Sequence, residues 1–146
     1  MTVNPYANME VHTPWFYRVS VKALIRNKQW HIMLLEEADG TRDFPGWWWD
    51  HGESLDQALR REIDEELWVW VSWYSKQPVA VWTVDRRKFW RMILLYEVVL
   101  DSHEVTMGED THEWLSMKWR DIDDIYSGAC QLHGVAEWVL STLKLL

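Results

Sequence analysis

Over residues 16–25 the chain alternates apolar and polar side chains, Tyr17, Val19 and Val21 against Arg18, Ser20 and Lys22. This period of two predicts a strand. A turn around Asn27 leads to a second apolar run over 31–35, so a hairpin is expected here. Ala38-Asp39-Gly40-Thr41 reads as a turn, and Pro45-Gly46 opens a loop. The period then changes. Ser54, followed three residues later by Gln57, is a capping-box start, and it predicts a helix over Leu55–Leu67. Residues 69–73, 79–84 and 90–100 read as further strands, with Asp85-Arg86-Arg87-Lys88 as the turn between the last two. A short strand over 114–119 follows. A closing amphipathic helix spans 131–145, with Val135, Trp138, Val139 and Thr142 at 3–4 spacing. Strands, helix, strands and helix, without strict β-α-β alternation, predict an α/β fold with a mixed sheet and helices on its faces.

The first helix carries the informative departure from its own pattern. At about 100° per residue, Leu55, Ala58, Leu59 and Ile63 form the apolar stripe that faces a core. Glu62 and Glu66 fall inside that stripe, and Glu65 sits at its border. Like charges at i and i+4 repel, so an inward pair calls for a compensating cation. A divalent metal is the natural candidate, because hard cations take carboxylate oxygens. The outer face carries Asp56, Arg60 and Asp64 at i, i+4 and i+8, a solvated ion-pair row of little functional interest.

Composition narrows the classes. Nothing marks a domain boundary, and 146 residues suit one domain with one substantial core. No apolar run approaches the roughly 18 residues of a membrane span. The first residues lack a basic region followed by an apolar one, so no secretory signal is expected. Cys130 is the single cysteine and forms no internal disulfide, which favours a reducing, cytoplasmic setting. The net charge of −8 argues against a nucleic-acid binder. It does not argue against a small phosphorylated substrate, since a local cation reverses the field at one site.

From Glu53 the spacing is Glu-x7-Arg-Glu-Ile-x-Glu-Glu, through Arg61, Glu62, Ile63, Glu65 and Glu66. This resembles the Nudix box, Gly-x5-Glu-x7-Arg-Glu-U-x-Glu-Glu-x-Gly-U, with Ile63 and Val69 at the two bulky aliphatic positions. Phe44-Pro45-Gly46 looks like the entry to that box, and Gly52-Glu53-Ser54 also matches. The resemblance implies a Nudix-type α/β/α sandwich that hydrolyses a diphosphate linkage in a nucleoside diphosphate derivative with Mg²⁺ or Mn²⁺. It implies Glu62 and Glu66 as principal metal ligands and Glu65 as ligand or base. Gly46 is added as a metal contact, from the loop whose backbone carbonyl approaches the metal in relatives. Glu53 is either linked to the metal or paired with Arg61, and these readings are compatible. Glu113, in the run Glu109-Asp110-Thr111-His112-Glu113, matches a late-loop glutamate that serves as ligand or base in many relatives; a solvated acidic loop is the plain alternative. Homodimers are common in the family and are an expectation here. Arg86 and Arg87, with Lys88 and Arg91, form the basic cluster; a phosphate contact is one reading, and a solvated hairpin tip is the favoured one.

The chain departs from the box at two places. Trp47 stands at its first glycine and Trp68 at its second, within a set of thirteen tryptophans. A side chain at 47 is expected to crowd the loop, and residue 68 follows the helix where glycine takes a left-handed backbone. Trp30 likewise stands where a hairpin turn favours glycine. Tryptophan introduced by engineering on a Nudix scaffold is the reading adopted; a naturally Trp-rich relative that stacks its rings on a base is the alternative. The rival function is a non-catalytic module that binds a nucleotide or a protein through an impaired site. A diphosphate-using isomerase ranks third, because the chain is short and its one cysteine lies towards the C-terminus.

Overall fold

The computed structural model describes residues 17–102, 104–105, 116–132, 134–135 and 137–146. The elements run β1 (Tyr17–Ile25), β2 (Ile32–Glu36), β3 (Arg42–Asp43), β4 (Gly46–Trp48), α1 (Leu55–Leu67), β5 (Val71–Tyr74), β6 (Ala80–Asp85), β7 (Trp90–Leu100), β8 (Ser116–Arg120), α2 (Ile122–Tyr126) and α3 (Glu137–Leu145). β1 and β7 pair in parallel over nine positions, from Tyr17 against Trp90 to Ile25 against Val98. β4 runs antiparallel on the free edge of β1. On the far edge of β7, β6 pairs with residues 90–95 and β5 with 98–100, so one long strand carries two short ones end to end. A second sheet has the order β3-β2-β8.

The parallel pair is the middle of the molecule, and it is covered on both sides, as parallel strands require. On one face Val21, Ala23 and Ile25 pack with Leu59, Ile63 and Leu67 of α1 and with Tyr96 and Val98 of β7. On the other, Leu24, Ile93, Leu95 and Trp82 pack with Ile32 and Leu34 of β2, Ile125 of α2, and Val139 and Leu143 of α3. The result is the mixed sheet flanked by helices that the sequence predicts. Among the described residues, no helix is long and apolar enough to cross a membrane.

Helix α1 has the predicted limits because its ends are set locally. The Ser54 hydroxyl accepts from the Gln57 backbone N–H while the Gln57 side chain accepts from the Ser54 N–H. The Asp56 to Arg60 pair is present at 3.0 Å. Arg60 also donates to the Val71 carbonyl at 2.7 Å, and Tyr74 donates to Asp56 at 3.1 Å, so this row ties the helix to β5.

Several predicted limits shift. β1 and β2 do not form a hairpin: they share only an isolated bridge between Arg26 and Ile32, then diverge into separate sheets. The strand expected from 69 starts at Val71, because residues 68–70 leave the helix and turn the chain. β3 and β4, where no strand was predicted, are two and three residues long and exist through their partners β2 and β1. α2 was not predicted, although Asp121 caps it by accepting from the Asp123 N–H. The described closing helix starts at Glu137.

Trp68 caps α1 with φ 49° and ψ 43°, and Trp30 has φ 65°. Both are left-handed, as expected for glycine positions, and both side chains are exposed. Bulky residues in this region cost about 1–2 kcal/mol relative to glycine, and exposed rings regain little by burial. Trp68→Gly and Trp30→Gly are therefore each expected to stabilise the protein by about 1 kcal/mol, a rise of roughly 3 °C in melting temperature for a domain of this size. Thermal unfolding followed by circular dichroism checks this; a fall in both variants would contradict the strain.

Candidate active site

The inner face of α1 meets the β1–β4 edge at Gly46. A side-chain carbon there would run into the Val21 carbonyl oxygen, and φ is +116°, so the position accepts only glycine. Its N–H donates to Glu66 Oε2 at 2.7 Å. Glu66 lies one helical turn beyond Glu62, and both are buried, at 7% and 6% exposure, as their place in the apolar stripe requires. Glu65, at the stripe's border, is exposed.

Two cations answer these carboxylates. Arg61 grips Glu53 with both arms, Nε to Oε1 at 2.6 Å and Nη2 to Oε2 at 3.0 Å. The same guanidinium reaches Glu62 at 2.7 Å, Glu65 and Asp50 at 3.4 Å, and the Trp48 carbonyl at 3.3 Å. The second cation is Lys22, fully buried in β1. Its Nζ donates to the Gly46 carbonyl at 2.6 Å and the Phe44 carbonyl at 3.3 Å, and it pairs with Asp43 at 2.9 Å.

The electrostatics follow from burial and from these partners. Burial pushes Glu66 up to about 7, against the pull of Lys22 and the Gly46 N–H. Burial also raises Glu62, opposed chiefly by Arg61. The Arg61 hydrogen bonds hold Glu53 below the usual carboxylate range, and Arg61 itself is held more firmly charged, mainly by Glu53. Two buried glutamates with raised pKa values on one helix face make this a candidate functional site.

Of the predicted residues, Glu53, Glu62, Glu65, Glu66 and Gly46 fall in one cluster. Glu113 lies outside the described residues. Glu53 makes the ion pair with Arg61 that was one of its two readings. Arg86 and Arg87 are exposed in the β6–β7 turn, where their backbone N–H groups donate to the Phe89 carbonyl and to Asp85. The member of that basic cluster that turns inward is Arg91, buried, donating to Ser20 at 2.7 Å and lying 4.8 Å from the Trp48 ring centroid. Arg18 stacks on the same ring at 3.9 Å. Trp47 has its backbone in β4 opposite Val21. An open cleft of about 530 Å³ borders the cluster, lined by Tyr17, Arg18, Trp49, Asp50, His51 and Glu53.

Lys22 and Asp43 are site residues that sequence reasoning missed. The available signal was a lysine inside a strand with apolar neighbours on both sides, Val21 and Ala23. Alternation assigned it to a solvent face, whereas β1 is buried on both.

The donor chemistry fits a hard divalent ion. Glu62, Glu65 and Glu66 supply carboxylate oxygens, and Gly46 supplies a carbonyl, the ligand types that Mg²⁺ and Mn²⁺ take. Among the described residues, no three such side chains already converge on one point. Arg61 draws Glu53, Glu62 and Glu65 to itself, and Glu66 faces Gly46.

The family model for the NUDIX domain matches residues 16–141. A nucleoside triphosphatase NudI from Klebsiella pneumoniae is 28% identical over 120 residues, covering 73% of this chain and 85% of the relative. The fold resembles the E. coli ORF135 protein with a TM-score of 0.73 and 20% identity, covering 90% of this chain and 91% of that one. It also resembles a MutT protein from Methanosarcina mazei, with a TM-score of 0.71 and 18% identity, over 90% and 93% of the two chains. An ADP-ribose pyrophosphatase from Streptococcus suis gives a TM-score of 0.60 at 22% identity, over 88% and 90%. With the family model spanning most of its length and the box glutamates gathered on the inner face of α1, the chain belongs to the Nudix hydrolase family.

Proposed function

We propose that this chain is a single-domain cytoplasmic enzyme that hydrolyses a diphosphate linkage in a nucleoside diphosphate derivative, using Mg²⁺ or Mn²⁺. The observation that carries the reading is the burial of Glu62 and Glu66 on the inner face of α1, with Glu66 held against the Gly46 N–H. Buried carboxylates this close are stabilised by a cation of higher charge than Arg61 or Lys22 provides. The relatives' names, a nucleoside triphosphatase and an ADP-ribose pyrophosphatase, agree on phosphoanhydride substrates.

Glu62 and Glu66 are the principal ligands in this reading, joined by Glu65, Glu53 and the Gly46 carbonyl. A divalent ion held there would supply charge neutralisation for the diphosphate and make the attacking water more acidic. Glu65, the exposed member, takes the proton from the attacking water; Glu113 is the other candidate for ligand or base. Arg61 is a positioning residue, since its arms fix Glu53 and Glu62 at once. The open cleft beside Glu53 receives the substrate; for Arg86 and Arg87, exposed in the β6–β7 turn, a solvated hairpin tip is the favoured reading and a phosphate contact the alternative. A homodimer is the expected assembly, and nucleic acid is not a partner at a net charge of −8.

A second reading, a non-catalytic module that binds a nucleotide or a protein, draws on Trp47 at the first box glycine and on the engagement of the Gly46 carbonyl by Lys22. Nucleoside monophosphate release from a panel of nucleoside diphosphate derivatives, with and without Mg²⁺, separates the two. The hydrolase reading expects Mg²⁺-dependent release from at least one; binding without release favours the module.

Glu66→Gln preserves the acceptor for the Gly46 N–H while removing the charge. It is expected to lower turnover by about two to three orders of magnitude and to leave the circular dichroism spectrum unchanged; near-normal turnover would contradict the ligand role. The same variant tests the electrostatics in metal-free buffer. The folded chain keeps the Glu66 proton up to about pH 7, while the unfolded chain loses it near 4.5. The contribution to stability is therefore full below about pH 4.5 and is lost as pH rises to about 7. On the order of 3 kcal/mol is involved. Denaturant melts across this window are expected to show that decline in the parent and a flatter profile in Glu66→Gln.

A further inference from the structure

Lys22 occupies an unusual place for an ammonium group. It sits in the buried stretch of β1, fully enclosed, with Val21 and Ala23 as chain neighbours. Burying a lysine without compensation is strongly unfavourable. Here the compensation is a set of oxygens: the carbonyls of Gly46 and Phe44 and the carboxylate of Asp43. Carbonyl and carboxylate oxygens around one positive centre are also what a hard metal ion takes. The Gly46 carbonyl is common to both, since it is one of the proposed metal contacts.

The same peptide unit ties Lys22 to the glutamates. The Gly46 carbonyl accepts from Lys22 while the Gly46 N–H donates to Glu66. Lys22 thus sits one residue's backbone away from the buried carboxylate. Its charge favours the ionised forms of both Glu62 and Glu66. Arg61 serves the exposed side of the cluster and Lys22 the inner side.

We propose that Lys22 is a built-in counter-cation of the active site: it orients the Gly46 carbonyl, lets α1 fold with its glutamates inward before any metal arrives, and by its charge weakens the grip on a divalent ion. This rests on the metal reading of the glutamate cluster. The sign is the distinctive part. A residue with a merely structural role would, on removal, loosen the site and weaken metal binding, whereas removing a competing positive charge tightens it.

The test is Mn²⁺ affinity without substrate, read by electron paramagnetic resonance of the free ion. Lys22→Met alone leaves the partly buried Asp43 without its lysine partner, so the principal variant is Lys22→Met/Asp43→Asn, which removes both charges and keeps the acceptor for the Phe44 N–H. Mn²⁺ is expected to bind this double variant about tenfold more tightly than Asp43→Asn, which lacks the same carboxylate but keeps Lys22; the difference is the size of a modest change in a screened charge interaction. Equal or weaker binding by the folded variant overturns the proposal. The unmutated protein gives an independent readout. The Lys22 side-chain nitrogen, observed by NMR in ¹⁵N-lysine-labelled protein, is expected to shift on Mg²⁺ addition and to stay fixed in Glu66→Gln; no shift in the parent overturns the proposal even if the double variant does not fold. If the parent binds no Mn²⁺ at all, the metal reading of the cluster fails as well, so the two failures are distinguishable.

Discussion

The approach of β4 to β1 at Gly46 is the constraint on which the rest of the site depends. The two backbones come so close that any side chain at this position would strike the Val21 carbonyl. That closeness lets a single peptide unit bond in both directions, to Glu66 through its N–H and to Lys22 through its carbonyl. The inner face of α1 is thereby pinned to the edge of the central sheet by a polar contact inside an apolar layer. Leu59, Ile63 and Leu67 supply the burial that holds the helix down, but they do not fix its rotation. A hydrogen bond at 2.7 Å does, because it is directional where apolar packing is not.

Around this junction the molecule stores unfavourable electrostatics. Arg61 and Lys22 face Asp43, Asp50, Glu53, Glu62, Glu65 and Glu66. Burial raises the two inner glutamates while ion pairing lowers Glu53, so neighbouring carboxylates are driven in opposite directions by their surroundings. A stable scaffold gains nothing from such an arrangement. In the proposed hydrolase reading, a bound divalent ion would relieve this imbalance. The tryptophans are a separate departure. Trp68 and Trp30 hold left-handed backbone at the edges of the framework rather than within the carboxylate cluster. Their strain therefore acts on stability first.

Much of the fold was legible because local signals and the global structure agree. α1 was bounded at both ends by its capping box and by a residue set for left-handed backbone, and β7 was read to the residue. Where prediction failed, the deciding partner lay far along the chain. β3 and β4 carry too few residues for any periodicity and exist through pairing with β2 and β1. The β1–β2 hairpin was a local inference that lost to better partners, since β1 gains nine parallel positions on β7.

The carboxylates themselves were determined by sequence alone, since helical periodicity fixes which faces Glu62, Glu65 and Glu66 occupy regardless of what packs against them. Residue 68 was equally readable, because the backbone demand after a helix is local. What only the tertiary structure decided is which cations answer those carboxylates. Arg61 lies within the same segment and could be suspected; Lys22 lies forty residues from Glu62 in the chain and meets the site through Gly46, on a strand that alternation alone gave a solvent face. A strand's period says that its two faces differ. Whether both are buried depends on what the rest of the chain lays over them, and here α1 covers one and β2, α2 and α3 cover the other.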